Sequence, residues 1–312
     1  MLAMPDITQS FADFPVRNAY RHRLNEDGRE SATHQFVLPQ YGIAGFYYPT
    51  VRANGHAKGR LHLFGPGLPA PIEEDVEQMV SDDMDFDDWR FGPLLMAVRE
   101  PFKTIDLGWV SDRIQFEGQW TAMHPPYAFS SHPKGNPPYY GDDRTEQHGI
   151  IKGNLRVDGR DYPLKDFMIR DHSWGPRVWG LNQHYKWFHA TTANVSVHFF
   201  EMMSFGKVET RGYLFKDGVM RHVEGIDYAI DYDADMMHDR FRVTVTDTDG
   251  RSVFVDCQAF AKYQLDLDPV VLLNESVVTV TIDSEKGTGW CEFCWNRDYL
   301  KFAKPYVERF AW

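Results

Sequence analysis

The sequence predicts an all-β protein built from two antiparallel barrels or half-barrels, on three observations. Short β-branched and aromatic runs alternate in polarity, as half-buried strands do. Asp-Gly pairs, a strong hairpin signal, close several of these runs. Amphipathic helical windows are scarce, while aromatics make up 15% of the chain, with 9 Trp, 15 Tyr and 22 Phe, residue types that favour strands. In chain order, residues 149–157 form a strand closed by Asp158-Gly159, and 211–215 one closed by Asp217-Gly218. Residues 241–246 are closed by Asp249-Gly250 and followed by a strand over 252–260. Helices are expected only at 73–80 and 299–307. Two segments break the pattern: a Pro/Gly-rich loop at 66–71, and residues 123–140, which hold five prolines and the aromatics Tyr127, Phe129, Tyr139 and Tyr140. A loop that long is uncommon unless functional, so it is either a crossover or a lid over a pocket mouth.

Length and charge exclude several classes. With 312 residues, 43% hydrophobic and 25% charged, the chain suits a globular protein of one large or two ordinary domains. A net charge of -12 argues against nucleic-acid or anionic-membrane partners, which recruit clustered Lys and Arg. Nine carboxylates between Glu73 and Asp88 read as a solvated face, lacking the Gly and terminal Glu spacing of a calcium loop. No run approaches the ~18–20 apolar residues of a membrane span. The N-terminus, Met1-Leu2-Ala3-Met4-Pro5-Asp6, lacks the basic and apolar regions of a secretion signal. Three cysteines, Cys257, Cys291 and Cys294, suit a reducing cytoplasm.

The chemistry concentrates between Lys165 and Glu201, KDFMIRDHSWGPRVWGLNQHYKWFHATTANVSVHFFE. Side chains alternate across a strand, so His172 and Trp174 share one face, and Asp171 and Ser173 the other. Tyr185, Trp187 and His189 lie together in the next run. Val195, Val197, Phe199 and Glu201 lie together in the run after it. Aromatic faces punctuated by ionisable groups are the composition of an apolar pocket with a few placed polar groups. Taken singly, Trp174, Trp187 and Phe199 suit a core, and Arg170, Asp171 and Arg177 suit a bracing ion-pair cluster. Glu201, on a face with Val197 and Phe199, is either at the surface or desolvated. A desolvated acid keeps its proton near neutrality and can protonate an alkene or a departing hydroxyl, with aromatic faces stabilising the cation that develops.

The block Arg170-Asp171-His172-Ser173-Trp174-Gly175-Pro176-Arg177, with the glycine turn signals that precede it from Gly149, resembles the lipocalin-like carotenoid 1,2-hydratase (hydroxyneurosporene synthase) family. Trp179 and Trp187 repeat a family spacing, as does Gly287-Thr288-Gly289-Trp290-Cys291-Glu292 near the C-terminus. The resemblance is fullest over residues 147–218. It implies two lipocalin-like (calycin) barrels, 1–163 and 164–312, with the motif opening the second. It also implies that His172 and Trp174 face the pocket, that Glu201 stands where the family has its proton-donating acid, and that Phe199 stands where it has an aromatic. Here Glu replaces Asp and Phe replaces Tyr, which points to a smaller substrate than a carotenoid.

Weaker signals add little. Cys291-Glu292-Phe293-Cys294 is formally C-x-x-C, but a strand sends cysteines three apart to opposite faces, unlike a redox pair at a helix N-terminus. Glu292, on the face of Trp290 and Cys294, is a second candidate inward carboxylate. The 13 His show no H-x-H or H-E-x-x-H spacing, so no metal is expected. Gly65-Pro66-Gly67 precedes no helix of the phosphate-binding type. The sequence therefore points to a cofactor-free, cytoplasmic lyase or isomerase (hydratase, dehydratase or cyclase) acting on an apolar isoprenoid or polycyclic molecule. Glu201 is the expected acid and His172 its partner, with substrate contacts from Trp174, Trp187, Phe199, Tyr185, His189 and Glu292. A carrier of hydrophobic ligands is the alternative, since fold does not fix function.

Overall fold

The computed structural model describes residues 10–310; the segment Met1–Asp6, expected to carry no secretion signal, lies outside them. One antiparallel sheet comprises β1 (Gly28–Leu38), β2 (Ile43–Tyr47), β3 (Thr50–Arg52), β4 (His56–Phe64), β5 (Ile72–Met79), β6 (Trp89–Phe91), β7 (Leu94–Glu100), β8 (Thr104–Val110), β9 (Ile114–Ala122), β10 (Tyr127–Ala128), β11 (Asp143–Val157) and β12 (Arg160–Pro176). Eight more strands close into a barrel: β13 (His184–Thr191), β14 (Val195–Ser204), β15 (Lys207–Lys216), β16 (Val219–Tyr232), β17 (His238–Asp247), β18 (Ser252–Leu265), β19 (Val271–Ile282) and β20 (Glu285–Asn296). The all-β class holds, as a closed barrel beside an open half-barrel. No described helix is long and apolar enough to cross a membrane.

The Asp-Gly signals act as expected. Asp158 and Gly159 take φ of 47° and 84°, the left-handed pair of a tight hairpin, and they set Val157 opposite Arg160. The helix expected at 73–80 is instead the edge strand β5. Its buried Ile72 and half-buried Glu74 and Val76 recur every second residue, a strand period. Its carboxylates Asp75 and Glu77 reach Lys58 at 3.0 and 2.8 Å, and charge on an exposed edge discourages edge-to-edge pairing. The C-terminal helix is α1 (Arg297–Ala303), begun by Asn296, whose side chain accepts from the backbone N–H groups of Asp298 and Tyr299; it ends at a 3-10 turn containing Pro305.

Three apolar clusters follow from strand alternation. One fills the concave side of the first sheet, around Phe36, Trp89, Trp109 and Trp120. A second fills the barrel with residues from all eight strands, including Phe188, Phe199, Phe241 and Phe293, so the barrel is a packed core and not a calyx. The third lies between sheet and barrel. The proline-rich segment supplies its buried Tyr127, Phe129 and Tyr140, a plug between the layers more than a crossover. Cys291 points into the barrel and Cys294 into the interlayer cluster, the opposite faces expected of strand residues three apart; all three cysteines are buried and free. The chain leaves the first sheet at Pro176 and enters the barrel at His184. A division at 163/164 therefore falls inside β12, and the R-D-H-S-W block closes the first sheet instead of opening the second. That strand is held on both sides, by β1 and β11.

Candidate functional site

Alternation on β12 decides what faces the barrel. Ile169 belongs to the interlayer cluster and Met168 to the sheet's own core, so Asp171 and Ser173 face the barrel while Arg170, His172 and Trp174 face the sheet interior. The register carries this to the neighbours: β11 pairs Glu146 with Asp171, and β1 pairs Thr33 with Asp171. On the barrel, the interlayer cluster takes Tyr185, Trp187, Phe200 and Trp290. Between them lies a cleft lined by Asp171, Arg144, Arg177, Glu275 and Glu292, with walls from Tyr140, Trp179, Tyr185, Trp187 and Trp290. Its free volume is about 40 Å³, space for a few waters; a ring-sized ligand needs the mouth, where Trp179 is half-buried, to open.

The barrel wall of the cleft carries two carboxyl groups side by side. Glu275 and Glu292 are directly opposite on β19 and β20; Glu275 is fully buried and Glu292 half-buried. Glu275 Oε2 accepts from Trp290 Nε1 at 2.6 Å, and the Tyr185 hydroxyl donates to Glu292 Oε1. Burial, and then the neighbouring acid, pushes Glu275 well above the carboxylate range. Burial also raises Glu292, opposed by hydrogen bonds from Tyr185 and Glu275 and by the Arg144 charge. Two like charges so close cannot both persist in low dielectric, so the pair retains a proton, held by Glu275 and donated to Glu292.

The sheet wall answers with a third acid. Asp171 is pushed up to about 7 by burial, against the pull of Arg144. Arg144 Nη2 donates to Asp171 Oδ2 at 2.5 Å, and Oδ1 has no hydrogen-bond partner among the described residues. Arg177 lies over the Tyr140 ring, 4.4 Å from its centre, and burial lowers its pKa from the usual arginine range.

The sequence-expected residues are distributed across three environments. Tyr185, Trp187, Glu292, Asp171 and Arg177 line the cleft. His189 lies behind it, its ring 4.3 Å from that of Trp187. His172 and Trp174 face away: His172 Nε2 donates to Glu30 Oε1 at 2.7 Å, and Trp174 stacks on His22 at 3.8 Å. Arg170 reaches Thr145, Gln147 and His172 on that same inner face. Thus two residues expected in the pocket, His172 and Trp174, brace the sheet, while two expected to brace, Asp171 and Arg177, face the cleft. Phe199 belongs to the barrel interior. Glu201 shares that face, where its Oε1 accepts from Lys186 Nζ at 2.7 Å and from the Tyr228 hydroxyl at 3.0 Å. The strand alternation that groups Glu201 with Phe199 also separates it from Trp187, because β13 pairs Trp187 with Phe200. Sequence reasoning missed Glu275, Arg144 and Glu146. Glu275 carries the signal used for Glu201, a carboxylate between apolar Leu273 and Val277 on one strand face.

Solved structures share this architecture. An AttH candidate from Nitrosomonas europaea is 13% identical, with a TM-score of 0.62, covering 85% of this chain and 91% of its own. CghA gives 12% identity and a TM-score of 0.60 over 87% and 88%, and a structure of CghA with Sch210972 is similar. Kievitone hydratase from Nectria haematococca gives 8% and 0.59 over 95% and 94%. These likenesses establish the lipocalin-like double-barrel fold. No curated protein matches the chain in sequence. The family model described as a domain of unknown function (DUF7064) matches residues 15–297, and the chain belongs to that family.

Proposed function

We propose that the protein is a cofactor-independent acid–base lyase that adds or removes water across a double bond of an apolar, ring-containing small molecule in this cleft. The observation that carries the proposal is the Glu275–Glu292 pair, which retains a proton among aromatic walls, facing Asp171, an acid shifted to about 7. Paired titratable groups whose surroundings push them to different tasks are the usual mark of acid and base roles. In the hydration direction Glu275 delivers its proton to an alkene carbon. The second carboxylate exists only while the carbocation beside it balances its charge. Tyr185 and Trp290 hold the two carboxylates by hydrogen bonds already in place, and the aromatic faces stabilise the cation. Water adds to the cationic carbon, the neighbour of the protonated one, and gives its proton to ionised Asp171, whose charge Arg144 balances. Return of that proton to the Glu275–Glu292 pair closes the cycle. Dehydration runs the same steps in reverse. A protein of this fold bears the name hydratase, which is consistent with that chemistry.

The test begins with ligand extracted from the purified protein, followed by turnover assays on it and its hydrated or dehydrated partner. Glu275→Gln and Asp171→Asn should keep ligand affinity and lose turnover by roughly a hundredfold or more, the usual contribution of a positioned acid or base. Retained affinity with no turnover by the wild-type protein would mean a carrier.

A further inference from the structure

Behind the cleft, three buried side-chain atoms without hydrogen-bond partners among the described residues converge. Glu146 Oε1 accepts from Arg144 Nε at 2.5 Å and from Trp187 Nε1 at 2.9 Å. Glu146 Oε2 lies 3.3 Å from His189 Nε2, and His198 Nε2 lies 3.8 Å from Glu146 Oε1. All three side chains are fully buried, and Glu146 Oε2, His189 Nε2 and His198 Nε2 have no hydrogen-bond partner among the described residues.

Backbone partners place the ring protons of His124 and His198, and the contacts between them leave one tautomer choice for His148 and His189. The His148 backbone N–H donates to His124 Nε2 at 3.2 Å, so His124 carries its proton on Nδ1 and gives it to the Pro125 carbonyl at 2.7 Å. The Tyr213 hydroxyl lies 3.1 Å from His124 Nε2 and 3.0 Å from His148 Nδ1 and has one proton for the two. Given to His124, it leaves His148 Nδ1 to donate to Tyr213 and His148 Nε2 to accept from His189 Nδ1–H at 3.3 Å, the tautomer that frees His189 Nε2 for a metal ion. His198 Nδ1–H donates to the Phe188 carbonyl at 3.1 Å. The three ligand atoms lie within 4.8 Å of one another; unpaired polar atoms this deeply buried are costly, and one shared cation would satisfy all three.

A second cluster of the same composition shows the contrast. Glu30 Oε1 accepts from His172 Nε2 and His22 Nδ1 at 2.7 Å each, and Oε2 accepts from the His22 backbone N–H at 2.8 Å. There protons bridge every contact and nothing is owed.

We propose that Glu146, His189 and His198 form a binding site for one divalent transition-metal ion of the zinc type. Imidazole and carboxylate suit such ions. Bonds of about 2.0–2.2 Å in tetrahedral geometry put ligand atoms roughly 3.3–3.5 Å apart, close to the 3.3 and 3.8 Å here. His198 donates its far N–H to the Phe188 carbonyl, and His189 can donate its own to His148 Nε2, the outer-shell pattern of metal-bound imidazoles. The two rings have centroids 4.1 Å apart and planes 32° from parallel, so the entering ion splays them. Trp187 and Arg144, which hold Glu146, also line the cleft, placing the ion one side chain away from it.

The test uses the full chain, stripped with chelator and dialysed against Zn²⁺ or Co²⁺ alone, with metal content and the visible Co²⁺ spectrum as readouts and no substrate required. The wild-type protein should bind about one equivalent, with the intense visible bands of a tetrahedral site. His189→Gln and His198→Gln should lose it. His148→Phe, which removes the partner of His189 Nδ1 and that of the Tyr213 hydroxyl but no ligand, should weaken binding about 10- to 100-fold. Should His189→Gln fail to fold, the His198→Gln result and the wild-type spectrum decide. The site is excluded if the wild-type chain takes up no metal, or if both histidine variants keep the wild-type stoichiometry and spectrum. Neither result touches the lyase proposal, which is read from turnover.

Discussion

The barrel wall carries buried acids on both faces, and their partners are opposite in kind. On the inner face Glu201 meets the Lys186 ammonium at 2.7 Å and the Tyr228 hydroxyl at 3.0 Å. On the outer face Glu275 meets another carboxyl group, Glu292, directly across the strands. Both acids follow the same pattern, a carboxylate flanked two residues away by apolar side chains. The inner acid is matched by a cation and sits toward the barrel's end, its side chain 16% exposed. The outer pair has another acid as its nearest neighbour, and burial first and that neighbour second push Glu275 well above the carboxylate range.

The most damaging way to break this arrangement is to remove the cation that the outer face does have. Arg144 donates to both Glu146 and Asp171 at 2.5 Å, with 7% of its side chain exposed. Taking one partner from a buried ion cluster leaves uncompensated charge, typically costing about 3–5 kcal/mol. Arg144→Met should lower unfolding stability in urea by that amount. A loss well under 1 kcal/mol would mean that Asp171 and Glu146 are both neutral and need no cation.

Titration sharpens the contrast next. Asp171 is held near 7 in the folded chain by burial but titrates near 3.9 when unfolded. The folded state therefore binds more protons between those values. Stability from this group is fully present below about pH 4 and is lost as pH rises through about 7. The total is of order a few kcal/mol, reduced to the extent that Arg144 stabilises the anion. Asp171→Asn should flatten the fall in urea midpoint between about pH 4 and 7, and an identical slope in the variant would show that Asp171 ionises freely in the fold.

How much of this was legible in the sequence depended on whether the signal was local. The Asp158-Gly159 hairpin, the strand periods and the opposite faces of Cys291 and Cys294 are properties of a few consecutive residues, and each could be read directly. Strand alternation correctly grouped Phe199 with Glu201, and Tyr185 with Trp187 and His189. It could not say which group faced which layer, because both faces of a wall packed on both sides are apolar. For the same reason His172 and Trp174 looked like pocket residues, although they fill the sheet interior. The run at 73–80 reads as a helix because acidic residues dilute its hydrophobic periodicity, and its strand period shows only against β4. Glu146, His189 and His198 come from β11, β13 and β14, so no spacing motif could announce them.

The smallest expected effect is the most discriminating. Glu201→Gln keeps an acceptor for Lys186 Nζ and for the Tyr228 hydroxyl while removing the charge. A charge-assisted hydrogen bond is worth about 1.5–3 kcal/mol against 0.5–1.5 for a neutral one. The substitution should therefore cost about 1 kcal/mol in urea unfolding, less if the 16% of its side chain that is exposed lets water screen the pair. Turnover should stay within about twofold, because Glu201 faces Phe199 and the barrel interior, and the cleft acids keep their protons and partners. If Glu201 is instead the proton donor implied by the family resemblance, turnover falls by roughly a hundredfold while stability hardly moves. Measuring both quantities on this one variant assigns the chemistry to one face of the barrel wall or the other.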